Sequence, residues 1–367
     1  MACKPDERLT QLFLELTRID AVSSQELPVA EYIMDFVGRL GLEASMDDAA
    51  KLSGGNAGNV IVPILGGGDF FLAAHMDTPR STAGLKHCFH ADRISSDGTT
   101  PLGVDDRGGV AEILYAVERA AKAGTLQPAT LLFSVCEETT MAGSLSYKPA
   151  PGIKYGFVFD SFMRPGNFVQ ATCGMIQFVF HVKGKSAHAG IAPENGVNAI
   201  RIAAEAITGF PFGWRGRMAN ANIGVIRGGT GTNVVCDDVF LKGEIRSASR
   251  EEGEACLQGI VEHFRRTCSK YGGSLDVEWE WDFRPYEIRE DDIPYQRFAR
   301  AAAACGLEAV PQPTMGGSDA NTYNHTGLKA INLGVGAQNP HGNDEFILYE
   351  DLQKASDIAY YLLTEKQ

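Results

Sequence analysis

The chain has 367 residues, which is long enough for one large domain or two ordinary ones. Hydrophobic residues make up 44% and charged residues 22%, so the composition excludes a disordered or fibrous protein. A formal net charge of −13 and the lack of an apolar run of about 20 residues predict a protein that binds neither nucleic acid nor membranes.

A helix is predicted near the N-terminus. Apolar residues recur at helical spacing over 30–37. Ser23 and Glu26 stand where a capping box would begin this helix, and Gly41 stands where it would end. We therefore expect a short amphipathic helix, capped at both ends, ahead of the first strands.

Several apolar runs of strand length follow, and a helix separates them into two pairs. The first two runs, 59–64 and 69–75, flank a glycine-rich turn and predict a hairpin. After a helix over 108–122, the runs 130–135 and 155–160 are apolar on both faces. Such strands are typical of a sheet that helices cover on both sides, so this half is predicted to be α/β.

The pattern changes near Thr172 and predicts a separate module. Strand-like and helix-like segments then follow in the order β-α-β-β-α-β, which is the order of a ferredoxin-like unit. The six segments are 174–184, 196–207, 220–228, 239–247, 250–270 and 274–282. After about Arg289, a helix (294–305), a strand (329–335) and a final helix restore the α/β pattern.

We therefore predict two domains, one inserted into the other. The outer α/β domain comprises 1–171 and 289–367, and the inserted domain comprises 172–288. The sequence has no internal repeat, low-complexity stretch or charged tail that would indicate further divisions.

The eight cysteines indicate a reducing compartment. No C-x-x-C pair occurs, so neither a cysteine zinc site nor a thioredoxin-type motif is expected. Most of the cysteines are expected to be small buried residues and not disulfides. Because the N-terminus also lacks the apolar segment of a signal peptide, the sequence predicts a cytosolic protein.

Acidic and histidine side chains follow the predicted strands. In open α/β sheets, functional groups gather at the carboxyl ends of the strands. The residues of this kind are His75, Asp77, Asp105, Asp106, Glu137, Glu138, Asp160 and His341. Because so many carboxylates at one edge repel one another, cations are needed to hold them together. Each residue alone is more often a helix cap, a solvated turn or a structural histidine, so the prediction depends on the whole set.

Together with their neighbours, these residues resemble the M20 metallopeptidases, and most of all the peptidase T branch. The resemblance runs in order over almost the whole chain. Its motifs are HMDTP (75–79), SSDGTTPLGVDDRGG (95–109), SVCEETTMAGS (134–144), Asp160, GKSAHAG (184–190), GGTGTN (228–233), GGSDANTYN (316–324) and NPHGNDEF (339–346). It implies a zinc-peptidase-type α/β catalytic domain with an inserted ferredoxin-like (βαββαβ) dimerisation or lid domain.

The resemblance also implies ligands for two metal ions per chain. His75, Asp105 and Asp160 would bind one ion, and Asp105, Glu138 and His341 would bind the other, so that Asp105 is shared. Nitrogen and oxygen ligands of this kind suit Zn²⁺, with Mn²⁺ or Co²⁺ as possible substitutes.

Further roles in the outer domain follow from the same resemblance. Asp77 would orient His75. Glu137 would be the general base that takes a proton from the attacking water and passes it to the leaving amine. In this family the peptide bond after the shared aspartate is usually cis, which here implies a cis bond between Asp105 and Asp106.

The resemblance gives the inserted domain a part in the site as well. His188 would stabilise the oxyanion of the tetrahedral intermediate from a partner subunit. Arg246 would bind a substrate carboxylate, a task that suits its planar fork, and Asn233 would also contact the substrate. The remaining implied substrate contacts are Gly317, Ser318 and Asn321.

The implied function is that of a two-zinc aminopeptidase acting on short peptides, above all tripeptides, as a homodimer paired through the inserted domain. One alternative is a carboxypeptidase or N-acyl-amino-acid deacylase of the same family, which would not require a free α-amino group. A second alternative is a non-catalytic binding protein on the same fold. The presence of Glu137 and of every implied ligand argues against the second alternative.

Overall fold

The computed structural model describes residues 6–366 of the chain. These residues form two compact units. The first unit contains residues 6–170, Glu287–Pro313 and 318–366, and the second contains Ala171–Tyr286 with Thr314–Gly317. The first unit is therefore discontinuous, and the second consists of one long stretch and a short return segment.

The helices and strands of residues 6–366 are numbered separately in chain order. The helices are α1 (Glu7–Thr17), α2 (Leu27–Arg39), α3 (Ala50–Ser53), α4 (Val104–Ala123), α5 (Ala142–Ser146), α6 (Ala199–Gly209), α7 (Arg250–Lys270), α8 (Ile293–Ala304), α9 (Asp319–His325) and α10 (Tyr349–Thr364). The strands are β1 (Ser45–Met46), β2 (Val60–Ile64), β3 (Phe70–His75), β4 (His87–Phe89), β5 (Arg93–Ser96), β6 (Ala129–Ser134), β7 (Tyr155–Ser161), β8 (Asn167–Thr172), β9 (Gly174–Lys183), β10 (Gly213–Gly216), β11 (Ala219–Gly228), β12 (Asp238–Ser247), β13 (Ser274–Phe283), β14 (Tyr286–Glu287), β15 (Val310–Thr314), β16 (Lys329–Gly334) and β17 (Phe346–Leu348).

A mixed sheet forms the centre of the first unit. Its strand order is β1-β2-β6-β3-β7-β16-β8-β14, with β15 paired to β8, and a smaller sheet has the order β17-β5-β4. Strands β6, β3, β7 and β16 run parallel to one another, whereas β2 pairs antiparallel with β6. The predicted hairpin between 59–64 and 69–75 is therefore wrong, because β6 lies between the two strands. Every residue of β3 is buried, and such a strand is accommodated between two parallel neighbours under helices.

Helices cover both faces of this sheet. The ring of Phe70 contacts Arg297 of α8, while the ring of Phe71 contacts Tyr323 of α9. Successive side chains of a strand point to opposite faces, so α8 and α9 lie on opposite sides of the sheet. Helix α4 packs on β3 and β7 and is in turn contacted by α1 and α10. The central strands are thus covered from both sides, as the α/β prediction requires.

The second unit is an antiparallel sheet with two helices on one face. Its strand order is β10-β11-β12-β9-β13, and α6 and α7 contact each other and the sheet. Phe178, Phe180 and Phe264 are completely buried in the core between them. The order β9-α6-β11-β12-α7-β13 confirms the predicted βαββαβ arrangement. The additional short strand β10 was not predicted, because Gly213 and Gly216 interrupt any apolar alternation.

The start of α2 differs from the prediction. Glu26 occupies its N-cap position without a side-chain capping bond. The predicted capping box of Ser23 and Glu26 is wrong, because both side chains bind elsewhere. The Ser23 hydroxyl donates to Asp77, and the Glu26 carboxylate accepts from the backbone N–H groups of Ser24 and Cys136. Local sequence cannot reveal this, since Asp77 and Cys136 come from distant segments.

Free thiols are found at Cys88, Cys136, Cys236, Cys256, Cys268 and Cys305. Cys136, Cys173, Cys236 and Cys268 are buried, as predicted for small apolar residues, whereas Cys3 lies outside the described residues. Among the helices of residues 6–366, none combines the length and the apolar character that crossing a bilayer requires.

Candidate metal centre

Parallel strands of the first unit end at one edge of the sheet, where acidic and histidine side chains follow them. His75 is the last residue of β3, and Asp160 lies one residue before the end of β7. Glu137 and Glu138 follow β6, and His341 lies in the loop after β16. Because these strands are parallel, their carboxyl ends meet at the same edge, which is where ligands bind in open α/β sheets.

Asp105 lies between the two histidines. Its Oδ1 is 3.1 Å from His75 Nε2, and its Oδ2 is 3.2 Å from His341 Nε2. Asp160 Oδ1 is 3.5 Å from the same nitrogen of His75, and Glu138 Oε2 is 3.3 Å from the same nitrogen of His341. The structure therefore brings together two groups, each with one histidine, and Asp105 is common to both.

Among residues 6–366, side-chain atoms that lie within 4.8 Å of one another form three groups able to hold a cation. The groups are Asp105–Glu138–His341, His75–Asp106–Asp160 and His75–Glu137–Glu138. The first coincides with one of the two predicted ligand sets. In the second, Asp106 stands where the resemblance implies Asp105. However, the Asp106 oxygens already accept from the backbone N–H groups of His75 and Gly109, at 3.0 Å and 3.3 Å.

The backbone around Asp105 is irregular. The peptide bond between Asp105 and Asp106 is cis, which confirms the expectation drawn from the resemblance. Both residues have non-helical backbone angles, although the rest of α4 is helical. Gly103, directly before this helix, has a φ of 77°, a left-handed conformation that glycine adopts without steric penalty.

Asp77 connects His75 to the turn that carries the two glutamates. Its Oδ1 lies 3.2 Å from His75 Nδ1 and accepts from the backbone N–H of Glu137 at 3.1 Å. Its Oδ2 accepts from the backbone N–H of Glu138 at 3.2 Å and from the Ser23 hydroxyl at 2.6 Å. Since Asp77 is completely buried, these are strong constraints on one imidazole and on two consecutive backbone groups.

Burial and neighbouring groups shift the pKa values of the carboxylates in the centre. Burial raises the pKa of Glu137 well above its usual value. Burial and the nearby charge of Asp105 raise the pKa of Glu138 to about 8. Burial acts to raise the pKa of Asp105 as well, but hydrogen bonds from His341 and His75 outweigh it and lower this pKa to about 2. The centre therefore has an excess of acidic groups over positive charge.

The donor set fits divalent cations. It consists of imidazole nitrogens and carboxylate oxygens, which suit Zn²⁺ and also accommodate Mn²⁺ or Co²⁺. In the described part of the chain, Glu138 Oε1 is buried and has no hydrogen-bond partner. A buried oxygen left in this way is costly unless a ligand satisfies it. Positive charge at this position would also stabilise the ionised forms of the crowded carboxylates.

Two residues that hold the loops of the centre were missed by the sequence analysis. Oε1 of the buried Glu26 accepts from the backbone N–H groups of Ser24 and Cys136, at 2.8 Å and 3.0 Å, just ahead of the paired glutamates. Arg80 Nη2 donates to the carbonyl oxygen of His341 at 2.5 Å. The role of Glu26 was hidden because its sequence pattern also suits a helix cap. No pattern in the sequence around Arg80 indicates its contact with His341.

His188 and Asn233 lie in neighbouring loops of the second unit, and both are exposed. The His188 Nδ1 accepts from the backbone N–H of Gly190 at 3.2 Å. The carbonyl oxygen of Asn233 accepts from the backbone N–H of Ala189 at 2.8 Å, and His188 forms a β-bridge with Val234. The structure therefore brings these two predicted residues together within this unit.

Arg246 lies in β12 of the second unit, where three contacts orient its guanidinium. Its Nη1 donates to the carbonyl oxygen of Met315 at 2.8 Å, and its Nε donates to Glu244 at 3.1 Å. The guanidinium carbon is 5.7 Å from the centre of the Phe283 ring. Gly317 packs against the same ring, where an added Cβ would lie 2.6 Å from a ring atom. Gly317 is therefore required by close packing whatever else it contacts.

Ser318 and Asn321 form a capping box at the start of α9. The Ser318 hydroxyl accepts from the backbone N–H of Ala320 at 3.3 Å, and the Ser318 N–H donates to Asn321 Oδ1 at 3.0 Å. These bonds explain both residues structurally. Their substrate contacts, which the resemblance implies, stay a prediction.

Comparison with known proteins gives one family match and several relatives of nearly equal length. Residues 170–272 match the peptidase dimerisation domain of M20 proteins. The chain is 32% identical over 366 residues to the uncharacterized protein YqjE of Bacillus subtilis, and 98% of each chain is covered.

Two solved structures are similar over the same extent. The aminopeptidase PepT from Bacillus cereus has a TM-score of 0.90 and 33% sequence identity, with 98% of both chains covered. A tripeptidase from Staphylococcus aureus has a TM-score of 0.89 and 28% identity, again with 98% of both chains covered.

Proposed function

The chain belongs to the peptidase T-like branch of the M20 peptidase family, and we propose that it is a two-metal aminopeptidase that releases the N-terminal residue of tripeptides. It is a peptidase that hydrolyses short peptides. The observation that carries the two-metal proposal is the position of Asp105, whose two oxygens face His75 and His341 at 3.1 Å and 3.2 Å. The names of the similar structures, an aminopeptidase and a tripeptidase, support the proposed end-specificity and substrate length.

We assign the metal ions to the residues that face one another at the sheet edge. One Zn²⁺ would be held by His75, Asp105 and Asp160, and a second by Asp105, Glu138 and His341. When bound, the ions would supply Lewis acidity toward the scissile carbonyl and the attacking water. Asp77 holds the outer nitrogen of His75 at 3.2 Å and thereby orients the ring.

Glu137 is the proposed general base. Its Oε2 lies 4.0 Å from His75 Nε2, so it faces the space that the metal-facing side chains surround. In the reaction it takes a proton from the attacking water and passes it to the leaving amine as the C–N bond breaks. The bond from its backbone N–H to Asp77 fixes the backbone from which this carboxylate extends.

The second unit is proposed to bind the substrate. Arg246 would bind the substrate's carboxylate, and the contacts of its guanidinium with Met315, Glu244 and Phe283 support this role by holding its planar group in one orientation. His188 of the partner subunit would stabilise the oxyanion. The remaining proposed substrate contacts are Asn233 and Gly317 of the second unit and Ser318 and Asn321 of the first unit.

The proposed homodimer is supported by the exposed edge of β11. Within residues 6–366, strand β10 pairs only with residues 219–221 of β11. In the described part of the chain, residues 222–228 of this strand have β12 alone as a neighbour. Ile226, in this segment, is 57% exposed. An unpaired edge with apolar side chains is a surface that a second copy of the same strand can cover with twofold symmetry.

The test of the proposed reaction compares a free tripeptide with its N-acetylated form. Both are incubated with zinc-loaded protein, and the products are identified by mass spectrometry. We expect the free tripeptide to lose its N-terminal residue and the acetylated peptide to react at least about 100-fold more slowly, because a site built for the amino group is left unpaired. Equal cleavage of both peptides would favour the carboxypeptidase or deacylase. Failure to cleave either one would favour a binding protein.

A further inference from the structure

A buried carboxylate lies at the base of the loop that carries His341. The loop is closed by two backbone hydrogen bonds between Gln338 and Phe346, of 2.9 Å and 3.0 Å. His341 lies within this loop with a left-handed φ of 65°, and its side chain is 56% exposed. Glu345, next to the closing pair, is only 1% exposed. The Glu345 side chain therefore points into the protein, whereas that of His341 reaches the surface.

Both oxygens of Glu345 bind the turn that carries Asp105. Oε2 accepts from the backbone N–H of Gly103 at 2.6 Å, and Oε1 accepts from the backbone N–H of Asp105 at 3.1 Å. The backbone N–H groups of Gly103 and Asp105 thus both donate to one carboxylate, and clustered backbone N–H groups of this kind bind anions in proteins. The anion here is a side chain that stands 240 residues later in the sequence.

The turn needs an acceptor from elsewhere because its own side chains are engaged. Gly103 is the N-cap of α4 and has no side chain to cap the helix. Asp105 faces His75 and His341, and Asp106 binds the backbone of His75. Glu345 therefore supplies the bond that a serine or aspartate cap normally makes.

We propose that Glu345 is a positioning residue that sets the separation of Asp105 and His341 in the metal centre. The carboxylate holds the backbone on which Asp105 is mounted, and it belongs to the loop on which His341 is mounted. The 3.2 Å between Asp105 Oδ2 and His341 Nε2 thus depends on a group whose hydrogen bonds go to backbone N–H groups and not to ligand side chains. The inference rests on the proposed two-metal function and extends it to a residue outside the ligand set.

A matched control is available on α4, the helix that begins at the turn bound by Glu345. Glu112 of α4 is also completely buried, but in the described residues neither of its oxygens has a hydrogen-bond partner. Glu112→Gln removes a buried carboxylate without breaking hydrogen bonds between two segments of the chain. Glu345→Gln is similar in shape but places an NH₂ group against one of the two backbone N–H groups, so that bond is replaced by a contact between donors.

The experiment measures metal affinity by chelator competition, starting from metal-loaded wild-type, Glu345→Gln and Glu112→Gln proteins. We expect Glu345→Gln to bind Zn²⁺ about 10–100-fold more weakly than wild type, as for other residues that orient metal ligands, and Glu112→Gln to bind as wild type does. The visible absorption of the Co²⁺-loaded Glu345→Gln protein should shift, since the ligands are rearranged. Its kcat for a tripeptide should fall while KM stays within about twofold, because substrate binding is untouched.

Gly103→Ala tests the same contact from the other side. A φ of 77° disfavours alanine, and its Cβ would lie 3.2 Å from Thr82 Cγ2, so the turn should move away from Glu345. We expect weaker metal binding in this variant too. In the double variant, the loss should be smaller than the product of the two single losses, because both changes remove one interaction.

Metal affinities of folded Glu345→Gln and Gly103→Ala that equal the wild-type value would overturn the inference. These affinities do not depend on turnover, so the proposed function is judged separately. A protein that cleaves no peptide but loses metal affinity in both variants would contradict the peptidase proposal and support the role of Glu345.

Discussion

Asp105 presents one carboxylate oxygen to each histidine of the centre, and the two histidines differ sharply in exposure. The side chain of His75 is 1% exposed and that of His341 is 56% exposed. A buried side chain on a central strand is held by its surroundings, whereas a side chain in an exposed loop depends on the few bonds that hold that loop. The two sides of the centre should therefore respond differently to the loss of a ligand.

Elemental analysis of protein purified without chelator should find about two metal ions per chain. Asp105→Ala should lower this to near zero, because both sites lose a ligand. His341→Ala should leave about one ion, since His75, Asp105 and Asp160, the proposed ligands of the other ion, are unchanged. A stoichiometry of one in fully active wild-type protein would contradict the shared arrangement.

Substitution of the two neighbouring glutamates should produce two different defects. Glu137→Gln keeps the size of the side chain but cannot carry a proton, so we expect near-normal metal content and turnover reduced by about 10²–10⁴-fold. Glu138→Gln should lose metal as its primary defect. Metal analysis and peptide turnover of the same preparations test both statements. Near-normal turnover of metal-loaded Glu137→Gln would remove Glu137 from the role of general base.

At the scale of elements, the centre depends on how strand ends and helix starts are held from other parts of the chain. Strands β3, β6, β7 and β16 bring their carboxyl ends to one edge because they are parallel. The segments that follow them are then held by bonds from elsewhere, such as that of Glu26 to the turn after β6. Parallel pairing places the residues near one another, and these bonds set their separation.

A contact between Thr17 of helix α1 and His87 of strand β4 makes the stability of the protein depend on pH. The ring of His87 lies 2.8 Å from the hydroxyl oxygen of Thr17. Burial, followed by the charge of Arg18, lowers the pKa of His87 to about 4. Unfolding exposes the ring, whose pKa then returns to about 6.5. The unfolded state therefore binds a proton between these values, and stability present at pH 7 is lost as the pH falls toward 4.

Urea unfolding of wild type and His87→Gln at pH 7.5 and pH 5 should reveal this effect. The glutamine does not titrate, so the free energy of unfolding of wild type should fall by about 1–2 kcal/mol more than that of the variant between the two pH values. An equal fall in both proteins would show that His87 is protonated in the folded state at pH 5.

At the scale of the whole molecule, the proposed dimer places part of the site in another chain. The second unit contains His188, and its residues 222–228 form an edge that is open to a second copy. If His188 serves the neighbouring chain, then a site is completed by Glu137 of one chain and by His188 of the partner subunit. This arrangement can be tested by mixing inactive variants.

Glu137→Gln and His188→Ala homodimers should each be nearly inactive. Mixed under conditions that exchange subunits, half of the dimers become heterodimers, in which one site carries both lesions and the other carries none. Activity should therefore return to about a quarter of the wild-type value. If His188 acts within its own chain, every site has one lesion. Absence of rescue after exchange has been demonstrated by mass spectrometry would then reject the shared site.

The sequence by itself determined the fold class and the element order of the inserted unit. Apolar residues at a period of two or of about 3.6 are a local property, and they mark the strands and helices wherever these later pack. The same holds for polar residues at strand ends, and the M20 resemblance then related His75, Asp105 and His341 to one centre. The structure places these three residues together, although they lie far apart in the chain.

Only the tertiary structure decided which segments became neighbours. The runs 59–64 and 69–75 suit a hairpin locally, but β6 competes for the same edge of β3 and takes it. Ser23 suits a helix cap, yet its hydroxyl binds the buried Asp77. The role of Glu345 has no local signature, because a carboxylate in a loop looks the same whether it faces water or backbone N–H groups 240 residues away. Pairing depends on which distant group can satisfy a buried donor, and that is known only once the chain has folded.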